Sequence, residues 1–398
     1  MLGSKKTSII ITCLTVFVYP FLPLAKEWNP LYGLILEATL LLLLSLCAIL
    51  RFRRGSIGLV INRDAALLVV FLMAYFFINI ADTYSSFSGF RSLLLYILFF
   101  IVENGNDDNT EIVSQTAKSN LLASTIMCVG CFIQFVMPSI IMSAHNPAAL
   151  SALRTKTDWT AFGIYNRTIS FMTDPNVLSV YLAFSLFVII ILYKHNKSKI
   201  YFTLLLIHIA SILLTKSRTG MFAVLIYIAL WIVINPIRNG NISAKRLVFI
   251  ATGIVLAVSL ALRNWSTIAS FIRMDTLMSR NGRTIKNALQ IKTYFTDNLR
   301  VTLGNGLFDG RSIIFENSYL LALYMFGIVG TILLIVLSYR VFKPVLNRYN
   351  LEFILCYGIV ISVGDYILIP QVTIIVILCL ILNSYYEKKQ LEREYITV

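Results

Sequence analysis

Arginine offers an anion a planar fork of N–H donors, and this chain sets arginines beside hydroxyls, amides and carboxylates in three places. The first is Arg167-Thr168-Ile169-Ser170-Phe171-Met172-Thr173-Asp174-Pro175-Asn176, ahead of an apolar run. Thr173 or Asp174 can cap a helix there, and Pro175 fits its first turn. Asp174 thus has a purely structural explanation, while the same helix N-terminus is a ready anion site. Arg167 has no structural explanation of that kind. The second place is Lys216-Ser217-Arg218-Thr219-Gly220, a tight turn between two apolar runs with hydroxyls on both sides of the arginine. The third is 264–316, which holds Arg273, Arg280, Arg283, Lys286, Lys292, Arg300 and Arg311 against Asp275, Asp297, Asp309 and Glu316. Either this segment is a long loop that tolerates charge, or it handles an anion. Within it the spacing predicts an amphipathic helix from about Thr284 to Thr296, with Ile285, Ala288, Leu289 and Phe295 along one side. The turn Leu303-Gly304-Asn305-Gly306-Leu307-Phe308 follows. Glu316-Asn317-Ser318-Tyr319 then opens a helix whose Gly327 and Gly330 would allow close packing.

Other chemistries find no support. There is no glycine loop of the Walker or dinucleotide type. The three histidines, His145, His195 and His208, are too scattered to predict a metal site. Cys128 and Cys131 form a C-x-x-C pair inside an apolar run, where they read as small hydrophobic residues rather than redox partners. No nucleic-acid module is present, and no basic stripe is interleaved with aromatics. Neither an internal repeat nor a matched pair of broken helices is apparent.

The elements that must position these residues are spanning helices. The chain is 58% hydrophobic and 13% charged, against roughly 25% charged in soluble proteins. Long apolar runs recur throughout, and they predict about twelve spans: 8–24, 31–50, 65–81, 88–102, 119–138, 176–193, 200–215, 219–236, 246–263, 317–338, 351–369 and 371–386. The first follows Lys5 and Lys6 like a signal peptide, but Pro20, Pro23 and the lack of a small-residue cleavage site read as a retained helix.

With the N-terminus in the cytoplasm, the basic clusters at 51–54, 194–199, 238–246, 340–348 and 388–393 fall inside, and these account for most of the net charge of +15. One inside loop, 103–118, is acidic instead. Two long loops, about 139–175 and 264–316, fall outside. Glu37, Asp365, Arg91, Arg218 and Arg263 all come to the outer leaflet in this topology. Charges at such positions are costly, so they are either interfacial anchors and ion pairs or parts of a site.

In this order the pieces resemble the O-antigen polymerase and ligase superfamily, the Wzy-type polymerases and related ligases. The matching elements are Arg167 through Asn176 before a helix, Ser217-Arg218-Thr219-Gly220 between two helices and Arg283 before a loop helix. Gly304-x-Gly306 follows, then Glu316-Asn317-Ser318-Tyr319-Leu320 ahead of Phe326-Gly327-x-x-Gly330. The likeness covers about 160 to 330; elsewhere only helix count and hydrophobicity agree. It implies an all-α, GT-C-like polytopic membrane protein, one transmembrane domain over 1–398 with two long periplasmic loops, in the bacterial inner membrane with both termini cytoplasmic.

The implied activity is polymerisation of oligosaccharide repeat units carried on undecaprenyl pyrophosphate into O-antigen-type polysaccharide. The implied partners are the lipid-linked donor and acceptor, membrane lipid and a chain-length regulator protein. Neither a metal nor a cofactor is expected. In that chemistry Arg218 and Arg283 would stabilise the departing pyrophosphate, with Arg167, Arg273 and Arg280 binding it. Glu316 or Asp174 would take the proton of the attacking hydroxyl. Asn176, Asn317 and Tyr319 would bind substrate.

Two alternatives stand beside it: a ligase transferring polymer to lipid A–core, and a flippase for the same lipid-linked sugars. Ligases of the superfamily are expected to carry a histidine where this chain has Glu316, and the second loop has none, which favours polymerase. Short outer loops and midplane charges would favour a flippase; here the second loop is long and the charges gather at the outer face. The arginine–glycine spacing of some polymerases is missing from both loops.

Overall fold

In lipid every backbone N–H and C=O must be satisfied within the protein, which leaves the helix as the open-chain solution. The protein follows that rule. The structure, a computed structural model, describes residues 2–53, 59–79, 83–104, 110–149, 167–238, 283–307 and 317–396, with the single positions 252, 259 and 263. Among the described residues every regular element is helical and no strand occurs. In chain order they are α1 (Leu2–Val18), α2 (Leu22–Trp28), α3 (Pro30–Arg53), α4 (Leu59–Ile78), α5 (Thr83–Asn104), α6 (Thr110–Val136), α7 (Pro138–Ala144) and α8 (Pro175–Asn196). There follow α9 (Lys199–Leu214), α10 (Arg218–Arg238), α11 (Arg283–Tyr294), α12 (Asn298–Leu303), α13 (Ser318–Phe342), α14 (Leu351–Val363) and α15 (Pro370–Ile396).

Eight described helical runs are long and apolar enough to cross a bilayer: Lys6–Trp28, Pro30–Arg51, Ser86–Glu103, Glu111–Val136, Pro175–Asn196, Arg218–Arg238, Ser318–Phe342 and Pro370–Gln390. Large apolar side chains such as Leu42, Ile49, Trp231 and Ile335 stay exposed on their outer faces, as lipid contact requires. The chain is thus an all-helical, multi-pass membrane protein. The expected span 246–263 lies outside the described residues, apart from Thr252, Ser259 and Arg263. The expected span 351–369 is interrupted: α14 ends at Val363, and a 3-10 turn, Tyr366–Leu368, precedes α15.

At the centre stands α8, mostly buried against α6, α9, α10 and α15. At the edge α10 stays mostly exposed and packs on α8 and α14. Hydroxyls and amides join the helices inside the bundle. Along α6, Thr116 meets Thr12 at 3.0 Å, Asn120 accepts from Tyr181 and Ser185, and Ser124 lies 2.9 Å from His208 Nε2. Such contacts hold helices together where apolar faces alone give no preference over lipid. Cys128 and Cys131, on the same helix, are free and buried.

The helix directions gather two sets of connections. One end, called upper here, carries the turn from α1 to α3, segment 137–149, the start of α8, residues 215–217 and the 364–369 turn. The lower end carries Arg238, which bonds Glu352 at 3.2 Å, and Lys194, which bonds Glu387 at 2.6 Å. Glu103, expected in an acidic loop, instead closes α5 and is fully buried, accepting from Thr116 at 2.6 Å. The apolar run of α5 carries it into the bundle, where a hydroxyl receives it.

Candidate functional site

At the upper end a cavity of about 600 Å³ opens between α2, α3, α5, the start of α8 and the 365–371 turn. Its polar lining includes Lys26, Glu27, Glu37, Arg91, Thr173 and Asp365. Glu37 is the anchor. Only 2% of its side chain is exposed, and it lies between Lys26 Nζ at 2.7 Å and Arg91 Nε at 3.1 Å. Gly33, one turn before Glu37 on α3, makes this reach possible, since a Cβ there would overlap the Lys26 side chain. A buried carboxylate needs such partners, because desolvation costs several kcal/mol per ion. Glu37 and Arg91 are thus an ion pair, as one reading of the sequence expected. Lys26, the third member, carries no sequence signal beyond its place near a helix end.

Beside this triad stands a second pair. Glu27 Oε2 lies 2.7 Å from His145 Nδ1, and His145 Nε2 lies 3.0 Å from the Ser170 carbonyl. Burial pulls the imidazole pKa down, but the hydrogen bonds to Glu27 and Ser170 and the Glu27 charge outweigh it, so the pKa stands above its ordinary value. The backbone here is fixed from both sides. Asn146 Nδ2 donates to the Glu27 carbonyl at 2.8 Å and Trp28 Nε1 to the Ala144 carbonyl at 2.7 Å. Gln134 Oε1 accepts from the backbone N–H of Ile169 and Ser170 at 2.8 and 2.9 Å. His145, 118 residues from Glu27 in sequence, was invisible to any spacing argument.

The arginine motifs form a corner beside the cavity. Asp174 caps α8, its Oδ1 accepting from the N–H of Asn176 at 2.7 Å and of Val177 at 3.4 Å. Asn176 Oδ1 accepts from Arg167 at 2.7 Å and from the Ser217 hydroxyl at 3.1 Å. Arg167 Nε donates to the Thr215 carbonyl at 3.1 Å. Gly220 sits so close to Ser179 that a Cβ there would overlap it. Two of the expected motifs are therefore one packed unit, with half-buried Arg218 at the head of α10. The corner meets the cavity through Thr173 and Val177.

The other expected site residues are placed differently. Asn317 caps α13, accepting from the N–H of Tyr319 and Leu320 at 2.9 and 3.1 Å, and it donates to the Ser362 carbonyl. Tyr319 donates to the Gly358 carbonyl at 2.7 Å. Both tie α13 to α14 and neither lines the cavity. The expected loop helix is α11, which Arg283 opens; the Arg283 side chain, with Arg273, Arg280 and Glu316, lies outside the described residues.

Gly304 and Gly306 form a joint with α13. That helix breaks at Gly327, where φ is 63° and ψ −176°. The break releases carbonyls, and the glycine turn satisfies them: Asn305 N–H donates to Tyr324 O and Gly306 N–H to Met325 O, both at 3.0 Å, while Tyr75 donates to Phe326 O at 3.0 Å. Gly330 packs against Tyr75 as a close-packing glycine should. Gly327 does something else, taking a conformation that belongs almost only to glycine.

The cavity is amphoteric. Its described charges are two cations, Lys26 and Arg91, against three carboxylates, Glu27, Glu37 and Asp365. With Ser88, Ser92, Thr173 and Gln371 around them, they present donors and acceptors suited to hydroxyl-rich ligands. Among the described residues no three His, Cys, Asp or Glu side chains gather as a metal site would need. Compared with protein-family models, curated proteins and solved structures, the chain finds no match.

Proposed function

We propose that this chain is a lipid-linked glycosyltransferase of the polysaccharide-polymerase type, joining oligosaccharide repeat units carried on undecaprenyl pyrophosphate. One observation carries the reading. Arg167–Asn176 and Ser217–Gly220 pack into a single corner, and that corner adjoins a polar cavity at one end of an apolar bundle. A substrate with a lipid tail, an anionic link and a hydroxyl-rich head needs three such surfaces side by side. The tail stays in the bilayer. The pyrophosphate lies toward the corner, where Arg218 heads α10. The sugars occupy the cavity.

In this reading the upper end faces the periplasm and both termini the cytoplasm, which puts Lys194, Lys197 and Lys199 of the lower end inside. The acceptor hydroxyl attacks the anomeric carbon of the donor. The bond from that carbon to the pyrophosphate oxygen breaks, and its electron pair leaves on the lipid pyrophosphate. Preorganised arginines stabilise that charge, and a carboxylate takes the hydroxyl proton.

The test in cells is a deletion complemented in trans. Loss of the gene should leave surface polysaccharide one repeat unit long, and complementation should restore a ladder. In a strain without a lipid A–core acceptor the ladder should still build on the lipid carrier. A carrier holding only single units in the complemented strain would reject polymerisation.

A further inference from the structure

The pair at the edge of the cavity constrains where protons can sit. The Ser170 carbonyl can only accept, so His145 Nε2, 3.0 Å away, carries hydrogen. Nδ1 faces Glu27 Oε2 at 2.7 Å. A neutral imidazole would then point a lone pair at a carboxylate across that short distance. The pair therefore holds one proton between Nδ1 and Oε2. The His145 side chain is fully buried, whereas Glu27 keeps 10% exposure and lines the cavity. Glu27 is thus the part of the pair that a ligand meets.

Two neighbouring carboxylates are committed elsewhere. Glu37 is held by Lys26 and Arg91, and Asp174 spends an oxygen capping α8. Asp365 lines the same cavity from the turn before α15. Around Glu27 the charged and titratable groups are therefore His145, Lys26, Glu37, Arg91, Asp365 and, deeper, Tyr19.

On the glycosyl-transfer reading, on which this inference rests, we propose that Glu27 accepts the proton of the attacking sugar hydroxyl and that His145 is its positioning residue. The O–H bond breaks and leaves its electron pair on oxygen, which bonds to the anomeric carbon as the pyrophosphate departs. The proton goes to Glu27, while the shared proton settles on His145 Nδ1. The imidazolium carries the positive charge until the hydroxyl proton returns to water with product release. This gives α2 the role that the sequence pointed to in Glu316 and Asp174.

The test uses the full-length chain in nanodiscs and two readouts. The first is nitrogen NMR on 15N-histidine-labelled protein, which holds only His145, His195 and His208; His145→Gln identifies the signal. His145 should stay protonated above about pH 6.5, the ordinary imidazole value, and should lose that protection in Glu27→Gln. The second is extension of a lipid-linked repeat unit at matched protein amounts. Glu27→Gln should fall about 100-fold or more. Glu27→Asp, with a carboxylate on a shorter arm, should keep more activity than Gln, and it carries the test if the Gln variant fails to fold. His145→Gln should fall less and displace the pH–rate profile.

If wild-type protein extends lipid-linked units and folded Glu27→Gln does so equally well, Glu27 is not the acceptor. An imidazole that titrates alike with and without Glu27 overturns the proposal whatever the activity. Equal losses in Glu27→Gln and His145→Gln with an unmoved pH profile would make the pair a structural latch only. If wild-type protein extends nothing while the NMR result holds, the glycosyl-transfer reading itself falls and takes this assignment with it.

Discussion

At the scale of single residues, cost is the guide to position. Glu37 and Arg91 are legible in the sequence because a charge inside an apolar run is expensive and must find a partner. Lys26 and His145 are not legible, since each lies outside a run and owes its place to a chain turn. The His145–Glu27 pair has a consequence for stability. Burial lowers the imidazole pKa, but Glu27 and the Ser170 carbonyl raise it further, and the net shift is upward. A raised folded-state value means that the unfolded chain binds fewer protons over that interval. The stabilisation is fully present below about pH 6.5, the unfolded value, and is lost as pH climbs through the higher folded value. Thermal unfolding in detergent between about pH 6 and 9 should therefore show wild-type stability declining with pH. Glu27→Gln should be less stable at the acid end and flat across the window. A wild-type curve parallel to that of the variant would show that the pair contributes nothing.

At the scale of elements, the joint between the glycine turn and α13 is the feature that hydropathy hides. The sequence marks Gly304-x-Gly306 as a turn and Gly327 and Gly330 as packing glycines, because glycine serves both purposes and an apolar helix looks continuous across a break. The structure separates the two roles by backbone geometry. Gly304 has φ 85° and ψ 176°, and Gly327 has φ 63° and ψ −176°, a region where a residue with a Cβ is strained by about 1–3 kcal/mol. Each would also drive its Cβ into facing backbone, Gly304 into Met325 and Gly327 into Thr302. Gly304→Ala and Gly327→Ala should each lower the unfolding temperature and separate the turn from the helix. Gly358→Ala is the control, since its nearest neighbour is the Tyr319 hydroxyl at 3.4 Å, and it should be near neutral. Differential scanning fluorimetry on the three variants decides this; equal behaviour would mean that the break is not held by these glycines. The arginine corner is the opposite case. Asp174 and Pro175 are readable as a helix start, but the bond from Arg167 to Asn176, which joins that start to the 215–217 turn, depends on how distant helices pack.

For the whole molecule, composition alone discloses an all-helical, multi-pass protein, because no other fold buries so many apolar runs with so little charge. Hydropathy does not disclose which helix is central. Lipid is as apolar as a core, so α8 and α10 read alike in sequence although one is mostly buried and the other mostly exposed. Orientation rests on the basic clusters and is open to direct test. Five of the six native cysteines are buried, and Cys13 is half-buried, so single added cysteines can be read against them. Ala148→Cys, at an exposed upper-end position, should react with an impermeant maleimide in spheroplasts. Lys197→Cys, exposed at the lower end, should react only after permeabilisation. The reverse pattern would invert the topology and move the cavity to the cytoplasmic face.

The central claim is that this bundle joins lipid-linked saccharides at its upper cavity. Its most direct test is reconstitution of the purified chain into proteoliposomes with an undecaprenyl-pyrophosphate-linked repeat unit from the same cell, followed by electrophoresis of the lipid-extracted glycans. The account predicts a ladder of products on the lipid carrier, formed with EDTA present and without a lipid A–core acceptor, and shortened to single units by Arg167→Lys. A carrier that keeps only single units with the wild-type protein, or that gains length only when magnesium is restored, would contradict it.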